Sequence, residues 1–206
     1  MASSKPFRFP LGKTIVWLLC LMPLIWLSIS VALQGSGTTG PLGANPIEYL
    51  NRFLGDWAIR LLIIALAVTP FRLITGKSWV ARYRRVLGLF AFFYVTLHLS
   101  SYIVLDQFFD WQEIWRDIVK RNYITVGMLG FVCLLPLAMT STKGMIRRLG
   151  GQRWQNLHKL VYVAGIATGF HFIMMRKGFQ LEPLIYAAII CMLLGYRVYL
   201  YSKKRA

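Results

Sequence analysis

Six long apolar runs constrain this chain more than any other feature of its sequence. A helix needs about 20 apolar residues to cross a hydrocarbon core of about 30 Å, so the second and fourth runs, which are shorter, must use flanking residues. The apolar residues form continuous blocks rather than stripes, which is typical of membrane-spanning helices. We therefore predict an all-α integral membrane protein whose six spanning helices cover roughly 14–33, 56–71, 86–105, 124–139, 157–175 and 183–201.

The six spans and their connections use almost all of the 206 residues. No stretch is left for a separate soluble domain of about 100 residues, so a partner enzyme must be another chain. We predict a basic tail at 1–13, one six-helix transmembrane domain at 14–201 and a second basic tail at 202–206. The first run has small residues at Ser30-Val31-Ala32, as before a signal cleavage site, but it is too long for a signal core, and we expect an uncleaved helix.

The basic residues decide how the helices are oriented. The net charge of +17 would suggest nucleic acid in a soluble protein, but here the charges follow the membrane topology, and we expect no nucleic acid. Sixteen basic residues fall in the two tails, in the two connections on their side or at the adjoining end of the sixth span: Lys5, Arg8, Lys13, Arg72, Lys77, Arg82, Arg84, Arg85, Lys143, Arg147, Arg148, Arg153, Arg197, Lys203, Lys204 and Arg205. The other three connections hold six: Arg52, Arg116, Lys120, Arg121, Arg176 and Lys177. The positive-inside rule then places both termini in the cytoplasm.

The three histidines of the chain all lie in apolar runs, where ionisable side chains are costly and usually functional. The third and fifth runs cross in the same direction, so depth can be counted from their first residues. His98 lies about 18 Å and His171 about 21 Å into its run, whereas His158 lies only about 1.5 Å in. Two imidazoles at matched depth suit a heme iron bound from both sides. A hydrogen-bonded core pair or another metal is the alternative, and zinc lacks further ligands at this depth.

His158 has no histidine left as a partner. A second heme near the cytoplasmic side would need Arg84, Arg85, Met145 or water opposite it, or His158 could bond to a propionate or a flavin. The basic stretch that contains Arg84 and Arg85 is either a topology anchor or a surface that binds a cofactor phosphate or a docking partner, because arginine binds anionic groups with two hydrogen bonds. No Cys-x-x-Cys-His motif occurs, which excludes covalently attached heme.

Other features allow two interpretations each. Arg60 either reaches the interface or pairs with an inward group such as a heme propionate. Gly165 and Gly169 either pack helices or make room for a flat macrocycle. The segment 106–123 is expected to be a helix in the membrane interface, with docking to an external partner as the alternative. Ile47–Leu54 is expected to be a separate short interfacial helix, and the second span is expected to end at Thr69-Pro70.

Two segments carry a resemblance to a known family: L-G-L-F-A-F-F-Y-V-T-L-H-L-S-S-Y at 87–102, and the stretch 137–171 with its T-S-T, R-R-L-G and W-x-x-L-H-x-L-x-Y elements. They resemble the ferric-reductase-like transmembrane superfamily, and within it the MsrQ-type heme-binding subunits of bacterial methionine-sulfoxide reductase systems. The resemblance implies an inner-membrane, six-helix heme-binding bundle with b-type heme on His98, His158 and His171. It also implies FMN, electrons from the quinone pool or a cytoplasmic flavin reductase, and a periplasmic molybdopterin enzyme that repairs oxidised proteins.

The chain itself offers no nucleophile, acid/base pair or nucleotide fingerprint, so we expect an electron-transfer subunit rather than a self-contained enzyme. Two rival functions stay open at this point. One is a transmembrane ferric or cupric reductase that acts without a partner. The other is a small transporter or proton channel in which the histidines relay protons, and this one predicts a colourless protein.

Overall fold

A computed structural model describes residues 11–34, 40–176 and 180–203 of the chain. The predicted basic tails lie largely outside the described residues, as do Lys5, Arg8, Lys177, Lys204 and Arg205. In the described ranges the regular structure is helical: α1 Leu11–Gln34, α2 Pro46–Thr75, α3 Arg84–Ser101, α4 Trp111–Lys120, α5 Asn122–Met139, α6 Lys143–Leu149, α7 Gly151–Leu157, α8 Leu160–Met175 and α9 Leu181–Lys203. A 3-10 helix at Ser78–Tyr83 precedes α3, and a π-helical turn at Tyr102–Asp106 follows it.

Six helical stretches within the described residues are long and apolar enough to cross a membrane: Leu11–Gln34, Pro46–Thr75, Ser78–Asp106, Asn122–Met139, Gly151–Met175 and Leu181–Leu200. The predicted all-α class and the predicted number of spanning helices are therefore confirmed. The orientation of the termini stays a prediction.

The chain divides into two compact units, residues 1–44 and 45–206. The first contains α1, which runs through Pro23, and a turn that the side chain of Gln34 closes by accepting from the Leu42 N–H at 3.2 Å. The second contains α2 to α9 and all three histidines.

The start of α2 differs from the prediction. Ile47–Leu54 is not a separate interfacial helix, because α2 begins at Pro46 and continues without a break. Asn45 caps this start by accepting the Glu48 N–H at 3.3 Å, and Pro46 fits the first helical position, where no N–H is needed.

The end of α2 also differs, since the helix passes Thr69-Pro70 and ends at Thr75, before Gly76 in the left-handed region. Pro70 has no N–H for the carbonyl of Leu66, four residues earlier. Arg197 of α9 donates Nη2–H to that carbonyl at 2.7 Å, so the helix can continue through the proline.

In the second unit α2 packs most extensively on α3 and α5 on α8, while α9 contacts both α2 and α8. Asn51 near the start of α2 bonds to His98 near the end of α3, and Tyr123 at the start of α5 bonds to His171 near the end of α8. Each of these two pairs is therefore antiparallel.

All seven acidic residues lie at or near one end of this unit, where α2, α5 and α9 begin and α3 and α8 end. We call it the acidic end: Glu48, Asp56, Asp106, Asp110, Glu113, Asp117 and Glu182. The basic end is the opposite one, where α2, α5 and α9 end and α3 and α8 begin.

The fifth span is not one regular helix from 157 to 175. His158 and Lys159 lie in a turn between α7 and α8. Across this turn Tyr162 N–H bonds to the carbonyl of Lys159 at 2.9 Å, three residues back, a tighter pattern than the α-helical one. An ideal helical rotation cannot be counted from His158 to His171.

Candidate functional site

His98 and His171, which the sequence predicts to lie at matched depth, are side by side near the acidic end. The ring centres of His98, in α3, and His171, in α8, are 6.2 Å apart, and the ring planes are inclined at 72°. Bonds of about 2 Å from a metal to each imidazole nitrogen put ring centres roughly 6 Å apart. The spacing therefore fits one iron bound by both rings.

The orientation of His98 is fixed by Asn51 of α2. The His98 Nδ1 lies 2.9 Å from the backbone oxygen of Asn51, which can only accept, so Nδ1 carries the proton and Nε2 is the free basic nitrogen. The Asn51 side chain donates to the His98 carbonyl at 3.2 Å and to Ser101 Oγ at 2.8 Å. A histidine that ligates a metal is typically held in this way through its other nitrogen.

His171 is held by the same arrangement on the other helix pair. Its Nδ1 lies 2.7 Å from the backbone oxygen of Tyr123 in α5, so its Nε2 is likewise free to act as a ligand. Each ring thus hydrogen-bonds to a backbone carbonyl on the helix against which its own helix packs.

Two glycines, which the sequence analysis missed, make these contacts possible. Gly55 and Gly127 each follow the bonded carbonyl by four residues, in N-R-F-L-G and Y-I-T-V-G. A Cβ at Gly55 would lie 3.2 Å from the His98 Nδ1, and one at Gly127 only 2.8 Å from the His171 Nδ1. A glycine four residues after a hydrogen-bonded carbonyl is the shared signal, but the sequence alone does not show which carbonyls are bonded.

A cavity of about 490 Å³ lies against the histidine pair and extends to the acidic end. Its volume is in the range of cofactor sites, and its walls are mainly apolar, with Ile59, Val95 and Phe131 among them. Its acidic-end rim carries both signs of charge, because Arg52 and Arg121 line the cavity together with Glu48, Asp56 and Asp106.

Arg121 is held in place by a buried carboxylate. Asp117 of α4 is 3% exposed, and its Oδ1 lies 2.9 Å from the Arg121 Nε. Its Oδ2 accepts the Tyr102 O–H at 2.8 Å, which ties α4 to the π-helical turn after α3. Such turns are common at functional sites, and this one begins four residues after His98.

A second cavity of about 340 Å³ lies at the basic end. The structure brings His158, Arg84 and Arg85 to its lining, together with Arg197, which the sequence analysis did not single out. Met145, one of the alternatives for the position opposite His158, is not among its lining residues.

His158 is held differently from the paired histidines. Its ring lies on that of Trp154, with centres 3.9 Å apart, and its Nε2 is 3.4 Å from the hydroxyl of Thr140. That hydroxyl donates to the Pro136 carbonyl, so it can accept from the His158 Nε2–H. Leu134 lines both cavities and separates the surroundings of His158 from those of the histidine pair.

Arg60 meets neither cavity. Its Nε–H donates to the Tyr186 hydroxyl at 2.9 Å, and its Nη2 lies 3.8 Å from a carboxylate oxygen of Glu182. Arg60 therefore joins α2 to the start of α9 instead of aiming at the histidine pair.

Gly165 and Gly169 serve helix packing, the other of their two interpretations. A Cβ at Gly165 would touch Leu194 and Ile190, and one at Gly169 would touch Ala187, all of α9. The space that these glycines leave is filled by α9 and is not available to a macrocycle.

Comparison with known proteins identifies the family of this chain. The family model described as "Ferric reductase like transmembrane component" matches residues 54–169, which include His98 and His158 and end two residues before His171.

The chain is also similar to curated proteins over most of its length. It is 52% identical to the protein-methionine-sulfoxide reductase heme-binding subunit MsrQ of Rhodospirillum rubrum, over 93% of this chain and 89% of that protein. It is 46% identical to the subunit of the same name from Caulobacter vibrioides, over 90% of this chain and 85% of that one. It is 41% identical to the magnetosome protein MamZ of Magnetospirillum gryphiswaldense, over 91% of this chain but only 29% of MamZ.

Proposed function

Because this chain belongs to the ferric-reductase-like transmembrane family, and within it to the MsrQ heme-binding subunits, we propose that it is a b-type cytochrome subunit of a methionine-sulfoxide reductase system. In this role His98 and His171 would hold a heme b near the acidic end through their Nε2 atoms. The observation that carries the proposal is the 6.2 Å separation of two rings whose Nδ1 atoms both meet backbone carbonyls.

The chain contributes orientation and environment. A bound heme supplies one-electron chemistry, and the protein adjusts its potential through the ligands, their hydrogen bonds and the surrounding polarity. Asn51 and Tyr123 keep both Nε2 atoms unprotonated and raise their basicity through the Nδ1 hydrogen bonds. The apolar side chains of the 490 Å³ cavity would lower the polarity around the ligand nitrogens, and Arg52 and Arg121 at its rim are paired with Glu48 and Asp117.

The basic-end cavity is then the site where electrons enter. His158, with Arg84 and Arg85 beside it, holds a second cofactor there, either another heme b or FMN. The donor is quinol or a cytoplasmic flavin reductase, which reaches this end from the inner membrane or the cytoplasm. FMN rests on the resemblance to the family.

Electrons leave at the acidic end, which faces the periplasm when both termini are cytoplasmic. The acceptor is a periplasmic molybdopterin-dependent methionine-sulfoxide reductase that repairs oxidised proteins. This chain carries electrons to that enzyme across the bacterial inner membrane and has no substrate site of its own.

The heme ligands are tested by reduced-minus-oxidised absorption spectra of the purified protein. We expect a low-spin bis-imidazole b-type signal that His98→Ala and His171→Ala each abolish, whereas His158→Ala removes only the signal of the cofactor in the basic-end cavity. A low-spin signal that survives in both of the first two variants would refute the ligand assignment, and a colourless wild-type protein would favour the proton-channel function.

The electron acceptor is tested by stopped-flow reoxidation. We expect a catalytic amount of the partner reductase to reoxidise the reduced protein completely only when methionine sulfoxide is present. Reoxidation by ferric citrate at the same rate without the partner would favour a self-sufficient metal reductase.

A further inference from the structure

Asp117 of α4 is the only one of the seven acidic residues that is buried. It is not among the residues that line the histidine cavity or the basic-end cavity. A buried carboxylate is costly unless its oxygens are hydrogen-bonded, and each oxygen of Asp117 has a partner. The two partners belong to different parts of the fold, so this carboxylate connects segments that are far apart in the sequence.

The first partner follows the helix that carries His98. Tyr102 donates its O–H to the Asp117 Oδ2 at 2.8 Å. The backbone N–H of Tyr102 bonds to the carbonyl of His98, about one helical turn earlier, and both side chains line the cavity of the histidine pair. Asp117 therefore fixes the end of α3 directly beyond His98.

The second partner precedes the residue that holds His171. Arg121 is the extended residue between α4 and α5, and its Nε lies 2.9 Å from the Asp117 Oδ1. Tyr123, two residues later, offers its carbonyl to the His171 Nδ1 at 2.7 Å. The Thr125 hydroxyl also donates to the Ile118 carbonyl and fastens the start of α5 to α4. Through Arg121, Asp117 therefore fixes the segment that orients His171.

Another polar link between the α2–α3 pair and the α5–α8 pair is looser. Asp56 of α2 and Arg176, which follows α8, approach each other to 3.7 Å, which is longer than a hydrogen bond. Both side chains are partly exposed, and solvent weakens ion pairs of this kind. Asp117 is the tighter connection, because a buried carboxylate makes its two contacts at 2.8 and 2.9 Å.

We propose that Asp117 is a positioning residue that sets the gap between His98 and His171. It acts through Tyr102 on the one side and Arg121 on the other, and so holds the two imidazoles at their ring-centre separation of 6.2 Å. This deepens the proposed function and rests on it, because the gap matters for an iron that both rings bind. The gap itself can be measured without heme.

Two variants open the bridge at different ends. In Asp117→Asn the amide oxygen can still accept the Tyr102 O–H, but the amide nitrogen cannot accept from Arg121. Tyr102→Phe removes only the other contact. Each variant should lower heme affinity by about tenfold and turn part of the low-spin signal into a high-spin one, since a displaced ring no longer reaches the iron. The double variant should lose no more than the worse single one, because both contacts belong to one bridge.

A distance measurement gives a readout without the cofactor. Nitroxide labels are attached to Ser100→Cys in α3 and Leu129→Cys in α5, both exposed, in heme-free protein whose three native cysteines are serine. Pulsed electron paramagnetic resonance in nanodiscs should give one narrow distance distribution when Asp117 is present and a wider one in Asp117→Asn and Tyr102→Phe. If Asp117→Asn does not fold, Tyr102→Phe still decides, because it leaves the carboxylate paired with Arg121.

The control is Glu113→Gln, which removes an exposed carboxylate paired with Arg116 on the same helix and should change neither the distance nor the spectrum. Unchanged distances in both bridge variants overturn the proposal, and so do losses of heme affinity that add up in the double variant. A wild-type protein without a bis-imidazole signal refutes the proposed function instead, and the distance measurement then still decides whether Asp117 sets the gap.

Discussion

Gly127 leaves the room that His171 needs, because a Cβ at this position would occupy the space of the imidazole edge. In Gly127→Ala the new carbon would lie 2.8 Å from Nδ1 and 3.0 Å from Cε1, so the ring must move and weaken its bond to the Tyr123 carbonyl. Changes in groups that orient metal ligands typically cost about 10- to 100-fold in affinity. We expect Gly127→Ala to lower heme affinity by about that factor, measured by heme titration of the apoprotein.

The same heme titration should show different losses of affinity for substitutions at Gly55 and Gly127. Gly55→Ala places its carbon 3.2 Å from the His98 Nδ1, which a small shift can relieve, and its loss of affinity should be the smaller one. Gly195→Ala is the matched control, since nothing lies within 4 Å of a Cβ there. Equal affinities for Gly127→Ala and Gly195→Ala would contradict the role given to Gly127.

The histidine pair was predictable because depth in a membrane helix follows from counting residues at a fixed rise. The residues that hold the pair were not, since counting gives height but not the face that each helix turns to its neighbour. Asn51, Gly55, Tyr123 and Gly127 therefore became visible only when α2 was packed on α3 and α5 on α8. For the same reason the sequence could not decide between the two interpretations of Gly165.

At the scale of elements, the end of α2 is determined by a contact with another helix and not by the local sequence alone. Pro70 predicts the end of a helix because it removes an N–H donor. The helix continues since Arg197, which is 131 residues away from Leu66, supplies the donor instead. Such long-range compensation cannot be read from a window of sequence.

The short helix α4 has an exposed aromatic side that suits a lipid interface. Ile114 and Asp117 are buried, whereas Trp111, Trp115 and Val119 form an exposed stripe at 64%, 68% and 62%. Tryptophans favour the level of the lipid headgroups. We expect the fluorescence removed by Trp111→Phe together with Trp115→Phe to be quenched strongly by lipids brominated near the headgroup and weakly by lipids brominated near the chain ends.

Trp154→Phe provides the comparison, because Trp154 packs on His158 in the basic-end cavity, and the emission that it removes should respond to neither lipid. If the emission of Trp111 and Trp115 were also insensitive to both lipids, the stripe would face water or a protein partner, and the docking interpretation of this segment would be favoured.

For the whole molecule, the fold class and the number of spans are predictable because each spanning helix must be long and apolar, whichever helices it packs against. The distribution of charged residues distinguishes the two ends of the helical unit. Every ion pair found among the described residues lies at the acidic end, while the basic end has cations without carboxylates. The sequence predicts this partition because it depends only on the order of charges along the chain, whereas the pairing of helices depends on side-chain shape.

That partition makes a prediction about orientation that one labelling experiment can check. In a variant whose Cys20, Cys133 and Cys191 are replaced by serine, single cysteines are introduced at Gln112, exposed at the acidic end, or at Gln152, exposed at the basic end. Because basic residues are retained in the cytoplasm, a membrane-impermeant maleimide added to intact cells should label Gln112→Cys, and it should label Gln152→Cys only after the inner membrane is permeabilised. The reverse pattern would place His98 and His171 beside the cytoplasm, where they could not pass electrons directly to a periplasmic enzyme, and the direction of electron flow proposed for this chain would have to be given up.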